Sequence, residues 1–425
     1  MTQPPPKVTF IPSRPLLAAG KESVVDILIR IEAPPPVAET GERRLLNFGI
    51  VLDRSGSMQG AKLAQAKEAV AFAVRHMHGD DLVSLTIYDD TVEVVAGTAP
   101  LKEAGPQILA ALPLIHSGGS TALHDAWVRG GLLVTERLDS KRLNRILLVS
   151  DGIANVGETR PDTIAAHARG LLDKGVSTST VGVGHDFNED LMIAMAKAGG
   201  GAGWFVESPA DFHRIFEAEL SGLAATFGEK AVLKLEPRRS GVEVVDVLND
   251  FTRGPDGHEI GTLIHGQPLE IVARLKIRGG EVKQPLDLFD VRLAWEGPGA
   301  GRTELGQLFR ITCDDPAAVD ALPIDPEVER AVHLLMAARA RKEAVRFMDA
   351  GDVVMAQQVL GTQRGVWAAR YSSTSHPEDR LEADEFQRLD VLLADEKDPD
   401  SSRALARKLA AYQHYQRTSR SRRNP

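Results

Sequence analysis

Residues 45–58 read Leu45-Leu46-Asn47-Phe48-Gly49-Ile50-Val51-Leu52-Asp53-Arg54-Ser55-Gly56-Ser57-Met58. A nearly continuous apolar run of strand length stops at an acid followed by two spaced serines. Apolar side chains on both faces mark a strand buried on both sides, the habit of parallel sheets covered by helices. The next stretch, 60–77, places Leu63, Ala66, Val70, Ala73 and Val74 at helical spacing. Strand, loop and helix then recur. Further strands are expected at Leu45–Leu52, Leu82–Tyr88, Val92–Gly97, Asn144–Ser150, Ser177–Val183 and Gly203–Val206. Helices are expected near 60–77, 104–112, 121–137, 161–174, 188–198 and 209–227. This alternation predicts an α/β unit with a doubly wound, mostly parallel sheet.

Outward from that unit the texture changes. Residues 7–32 hold Val8, Phe10 and Ile11, then Val24, Val25, Ile27, Ile29 and Ile31, which fit two short strands, and Pro34-Pro35-Pro36 follows as a stiff linker. Residues 230–312 offer strands at Val232–Leu235, Val242–Leu248, Leu269–Ile277, Val291–Trp295 and Leu305–Ile311, with turns at Pro255-Asp256-Gly257 and Gly279-Gly280. Two N-terminal strands alone make a marginal hairpin. They are expected to complete a β-sandwich with the later strands, so that the α/β unit is inserted in it. After Pro323 and Pro326 a helical C-terminal region is expected, with Val328, Val332, Leu335, Val345 and Met348 on one face and a break at Gly351-Asp352. The expected division is 1–40 for the N-terminal strands, 41–228 for the α/β domain, 229–322 for the sandwich, 323–416 for the helices and 417–425 for a basic disordered tail. That tail holds Thr418, Ser419 and Ser421, which phosphorylation would suit.

Three loops in order carry the chemistry. Asp53-Arg54-Ser55-Gly56-Ser57 ends the first strand, Gly118-Gly119-Ser120-Thr121 opens a helix, and Ser150-Asp151-Gly152 ends the strand Ile146–Val149. The first string alone is weak, since residue usage yields it by chance in about one chain in ten of this length. Its place after a buried strand gives it meaning. In a doubly wound sheet, ligands sit beyond the carboxyl ends of the strands where the strand order reverses. With the order 3-2-1-4-5-6, the strands ending at Asp53 and Asp151 are neighbours at that crevice.

Taken together, residues 44–227 resemble the von Willebrand factor type A (VWA) family and its metal-ion-dependent adhesion site. The resemblance implies that Asp53, Ser55, Ser57, Thr121 and Asp151 hold one divalent cation, some of them through water. Ser120 is the alternative to Thr121. All the donors are hard oxygens, which favours Mg²⁺, with Mn²⁺ or Ca²⁺ as substitutes. Two charges among five donors leave a position for water, which an Asp or Glu of a partner protein can take. In the family, the helix near 209–227 can slide when the metal changes its ligands. The whole layout is similar to bacterial VWA proteins of the YfbK type and to inter-α-trypsin-inhibitor heavy chains. It implies a binding or adaptor protein rather than an enzyme, working with a partner such as a MoxR-type AAA+ ATPase. The alternative is a metal-dependent hydrolase, for which His124 or Asp125 would have to serve as base.

Composition excludes other classes. Of 425 residues, 50 are Lys or Arg and 59 Asp or Glu, for a net charge of −9, which disfavours nucleic acid as partner. One cysteine, Cys313, excludes an internal disulfide framework and a thiolate-rich metal centre, and a buried, inert thiol is expected. Met1-Thr2-Gln3-Pro4-Pro5-Pro6 lacks a basic segment and an apolar run, and no stretch reaches the roughly 18 apolar residues of a membrane span. A cytoplasmic protein is expected. The remaining polar clusters have structural explanations first. His76 and His78 fit helix-end capping, Asp89-Asp90 a turn, Gly199–Gly203 a glycine-rich bend without the lysine of a P-loop, and Ala350-Gly351-Asp352 with Ala356 a helical hairpin, either packed on the core or docking a partner.

Overall fold

The computed structural model describes residues 4–35, 44–151, 156–184, 187–208, 211–297, 301–374 and 377–418. Pro36, Gly152 and residues 419–425, which hold most of the expected basic tail, lie outside the described residues. The N-terminal apolar groups form β1 (Lys7–Pro12), β2 (Leu16–Ala18) and β3 (Glu22–Glu32). The α/β unit follows as β4 (Leu46–Asp53), α1 (Ala61–His76), β5 (Leu82–Tyr88), β6 (Val92–Pro100), α2 (Leu101–Ala111), α3 (Leu123–Glu136), β7 (Leu143–Ser150), α4 (Pro161–Asp173), β8 (Val176–Val183), α5 (Glu189–Ala198), β9 (Gly200–Val206) and α6 (Asp211–Ala224).

Every residue of β4, β7 and β8 is buried, which is why β4 and β7 carry apolar residues on both faces, while β8 buries Ser177, Thr178, Ser179 and Thr180 as well. Their sheet runs β6-β5-β4-β7-β8-β9, which within the unit is 3-2-1-4-5-6. All neighbours are parallel except β5 and β6, which a short turn at 89–91 joins antiparallel. The strand order therefore reverses at β4 and β7, and their carboxyl ends deliver Asp53 and Ser150-Asp151 side by side. On one face of the sheet, Leu63, Ala66, Val70 and Val74 of α1 pack with Phe212, Ile215 and Phe216 of α6. On the other, Leu123, Ala126 and Trp127 of α3 pack with Ile164 and Ala168 of α4.

After α6 the chain enters β10 (Thr226–Pro237), β11 (Val242–Val247), β12 (Thr252–Gly254), β13 (Gly257–Ile264), β14 (Leu269–Arg278), β15 (Pro285–Gly297) and β16 (Gly301–Asp314). They form two sheets with the N-terminal strands, ordered β1-β3-β14-β11 and β12-β13-β10-β15-β16-β2. The strand β3 pairs with β14 from Glu22–Arg278 to Ile31–Leu269. One apolar cluster draws Ile27, Ile29 and Ile271 from the first sheet and Leu233, Leu288 and Leu293 from the second. Cys313 is buried in it. Three strands escape the sequence pattern. The strands β2 and β12 have only three residues each, and β13 carries Gly257 and Gly261 with a His and a Glu between them.

The chain ends in α7 (Pro316–Asp320), α8 (Pro326–Asp349), α9 (Val353–Thr374), α10 (Pro377–Leu393) and α11 (Pro399–Thr418). Asp325 caps α8 by accepting from the backbone N–H groups of Glu327 and Val328. Gly351, at φ +78°, ends the α8–α9 turn, and Asp352 caps α9 through the N–H of Met355. The 24 residues of α8 reach two cores. Val328, Ala331 and Leu335 pack on Leu28, Leu248 and Val272 of the sandwich, while Ala337 and Ala344 join the helical core. Tyr412 of α11 stacks on Phe205 and meets Phe187 edge-on, and the Tyr415 hydroxyl accepts from the N–H of Gly203. The helices thus brace the α/β unit against the strands. Arg417 and Thr418, placed in the basic tail on sequence grounds, belong to α11, and Arg417 forms an ion pair with the buried Glu382.

Candidate functional site

The site grows from the end of β4. Asp53 turns its carboxylate back on its own loop and accepts from the N–H of Ser55 at 2.7 Å, an arrangement Asp adopts readily in tight turns. Its other oxygen accepts from the Ser150 hydroxyl across the β4–β7 pair at 2.6 Å. The Ser55 and Ser57 hydroxyls lie 3.1 Å apart, and Ser57 donates to Asp151 Oδ1 at 2.7 Å. A continuous chain of oxygens therefore links the two strand ends.

The second loop is clipped onto the first. Gly118 N–H donates to the Arg54 carbonyl at 2.9 Å, and Gly56 N–H to the Gly119 carbonyl at 3.2 Å. Gly119 has φ +65°, and a Cβ there would fall 2.5 Å from an Asp90 carboxylate oxygen, so only glycine fits. Asp89 tightens the junction. Its carbonyl accepts from Ala122 N–H at 2.7 Å and its carboxylate meets Arg54 Nε at 3.1 Å. Thr121 on this loop is buried, whereas Ser120 is exposed. Four of the five expected donors, Asp53, Ser55, Thr121 and Asp151, are buried, and Ser57 opens to the surface.

The electrostatics are unbalanced. Asp53 and Asp151 are both fully buried. Asp151 Oδ2 forms an ion pair with Lys62 Nζ at 2.6 Å, but no ion pair with a described residue neutralises Asp53. Burial pushes the Asp53 carboxyl up to about 6, and the charge of Asp151 adds to the rise, against hydrogen bonds from Ser150 and Ser55 that pull it down. Beside it the wholly buried Tyr88 hydroxyl faces Asp53 and Ser150 without a hydrogen bond of normal geometry. A buried carboxylate with hydroxyl oxygens around it and no counter-charge fits a small, hard cation. Among the described residues no three His, Cys, Asp or Glu side chains converge as a metal-ligand cluster, so hydroxyls have to supply part of the donor set.

The other sequence candidates serve the fold. His76 Nδ1 pairs with the Phe72 carbonyl at 2.8 Å at the end of α1. His124 Nε2 meets His167 Nδ1 of α4 at 3.0 Å. Asp89 accepts from the N–H and hydroxyl of Thr91, as its turn requires, in addition to clamping Arg54. A Cβ at Gly201 would lie 2.1 Å from the Thr178 carbonyl, so the glycine-rich bend serves close strand approach. Sequence reasoning missed Ser150, Tyr88 and Lys62. Ser150 opens the Ser150-Asp151-Gly152 loop, but nothing in its local pattern tells which way it faces. Lys62 carried one signal, a cation in the first turn of a helix. A cavity of about 290 Å³ lies between the α/β unit and the strands, lined by Arg169, Lys197, Asp250 and Tyr415 among others, and its charges are largely paired with one another.

Residues 48–153 match the family model described as the von Willebrand factor type A domain. The human inter-alpha-trypsin inhibitor heavy chain H3 is 25% identical over 243 residues, 50% of this chain and 27% of that protein. The Escherichia coli (strain K12) protein YfbK is 23% identical over 213 residues, 49% of this chain and 36% of that one. The matched segment thus spans well under two thirds of these relatives. A solved structure, the von Willebrand factor type A protein from Catenulispora acidiphila, superposes over 96% of both chains with a TM-score of 0.69 at 17% identity, a likeness of fold.

Proposed function

We propose that this chain, which carries a VWA-type domain, is a protein-interaction module whose Asp53, Ser55, Ser57, Thr121 and Asp151 hold one divalent cation, Mg²⁺ before Mn²⁺ or Ca²⁺. The ion supplies a Lewis-acidic position that a carboxylate from another protein can occupy. The chain's own residues do the rest. Asp53 and Asp151 provide charge, the hydroxyls fill neutral positions, and the Arg54–Asp89 clamp and the two glycine N–H contacts hold the loops in register. The observation that carries this reading is the Asp53 carboxylate, fully buried and without an ion-pair partner among the described residues. Only the Ser57 side of the group opens outward, which supports approach of an incoming acid from that side.

The hydrolase alternative would need His124 or Asp125 as base, and His124 instead pairs with His167 and with the exposed Asp125. No described helix is long and apolar enough to cross a membrane. The test is affinity capture with the full chain in Mg²⁺ and in EDTA, beside Thr121→Ala. Partners retained in Mg²⁺ and lost both in EDTA and with Thr121→Ala are the expected result, and their sequences will say whether an AAA+ ATPase of the MoxR type is among them. The same partners in EDTA as in Mg²⁺ would sink metal-dependent capture.

A further inference from the structure

We propose that Lys62 is the site's internal counter-cation, which a divalent ion has to displace, so that Lys62 sets the metal affinity. This rests on the metal reading above, and four observations carry it. First, Lys62 is the second residue of α1, where the helix N-terminus disfavours a cation, and the first turn holds no acid to offset it. The side chain nevertheless places Nζ 2.6 Å from Asp151 Oδ2. Second, the fold leaves room for its stem. Gly184, at φ +75° just beyond β8, would place a Cβ 3.0 Å from Lys62 Cε, so a larger residue there would crowd the lysine.

Third, the ammonium and the expected ion share one carboxylate. Asp151 Oδ1 accepts from Ser57, a proposed metal ligand, while Oδ2 takes Lys62. Fourth, the charges do not add up with both cations in place. Two carboxylates and one ammonium leave the pocket with one uncompensated negative charge, and adding a divalent ion to that set would overshoot to a net positive charge. Two cations across one buried carboxylate repel strongly, because little water screens them. Lys62 has an exit, since its side chain is 28% exposed while that of Asp151 is 0% exposed. When the ion enters, the ammonium leaves Asp151 for the rim.

The test is isothermal titration of MgCl₂ into the full chain at fixed ionic strength, with thermal melts in EDTA, for wild type, Lys62→Met, Lys62→Arg and Asp53→Asn. Lys62→Met is expected to bind Mg²⁺ about tenfold more tightly and to melt lower in EDTA, because Asp151 has then lost its ammonium partner in the metal-free pocket. Lys62→Arg is expected to return both values toward wild type, which a purely steric role would not do. Equal or weaker Mg²⁺ binding by Lys62→Met, with uptake by wild type and none by Asp53→Asn, overturns this proposal and leaves the metal reading standing. No Mg²⁺ uptake by wild type overturns both. Should Lys62→Met fail to fold, acylation of Lys62 in the wild-type chain, read by peptide mass spectrometry, decides the matter. Labelling that rises severalfold on adding MgCl₂ supports displacement, and labelling that is unchanged or falls overturns it.

Discussion

Asp53→Asn is expected to be more stable than the wild-type chain when both are kept in EDTA at pH 8, and to gain nothing from Mg²⁺. In the folded protein the Asp53 carboxyl is pushed up to about 6, from an ordinary value of 3.8. Between those two values the folded state holds a proton that the unfolded chain has lost, so stability falls as pH rises through that window. Above it the full penalty applies. A gap of roughly two pH units corresponds to about 3 kcal/mol. Asparagine is nearly isosteric, keeps an oxygen for the N–H of Ser55, and removes the buried charge. Urea denaturation from pH 4 to pH 8 checks the sign. Wild type should lose stability relative to the variant as pH rises and recover it when Mg²⁺ takes the place of the proton. A variant less stable than wild type at pH 8 in EDTA would mean that Asp53 is a structural anchor and not a charge waiting for a cation.

Glu219→Ala is expected to destabilise the chain by about 3–5 kcal/mol while leaving Mg²⁺ uptake intact below the unfolding transition. Glu219 reaches from α6 into the sheet, where its side chain is 1% exposed and pairs with Arg145 Nη1 of β7 at 2.9 Å. The same carboxylate accepts from the Ser179 hydroxyl at 2.7 Å and from Trp204 Nε1 at 2.9 Å. Removing it strands the buried Arg145 guanidinium, and an unpaired buried charge costs more than the lost contact. Adding Arg145→Met to Glu219→Ala should recover only part of the loss, because Ser179 and Trp204 still lack their acceptor. Chemical denaturation of the single and double variants measures both effects. The pair also bears on whether α6 can slide along the sheet. A slide of α6 by one turn would carry Glu219 away from three partners, and α6 continues with a single intervening residue into β10, which is paired on both edges. A Glu219→Ala loss of under about 1 kcal/mol would show that α6 is held by its apolar face alone.

The parts of the fold that could be read in advance were those with local causes. Ile146-Leu147-Leu148-Val149 is apolar on both faces because β7 is sandwiched between helices, and the doubly wound α/β class followed from the alternation of strands and helices. The loops at Asp53, Thr121 and Asp151 were legible because helix starts and strand ends bracket them. Elsewhere the information is tertiary. The strand β13 is held by its pairing with β10 and not by its own alternation, which two glycines and a histidine interrupt. Arg417 looked like part of a solvated tail, since nothing near it in sequence announces Glu382 on another helix. Lys62 reads as one of many surface lysines until β7 brings Asp151 to it. The candidate oxygens that could be named beforehand are those spaced along loops, while the facing of Ser150 and Tyr88 was hidden because strand residues show it only once the sheet is assembled.

The central claim is that two buried carboxylates and their hydroxyls form a seat for one hard cation. Crystals grown in Mn²⁺ and measured for anomalous scattering test it most directly. The expected map holds one strong peak within bonding distance of oxygens from the Asp53–Ser57 loop, Thr121 or Asp151, with Lys62 turned away from Asp151. A map with no peak there, and with the Lys62–Asp151 ion pair intact at saturating Mn²⁺, would contradict it.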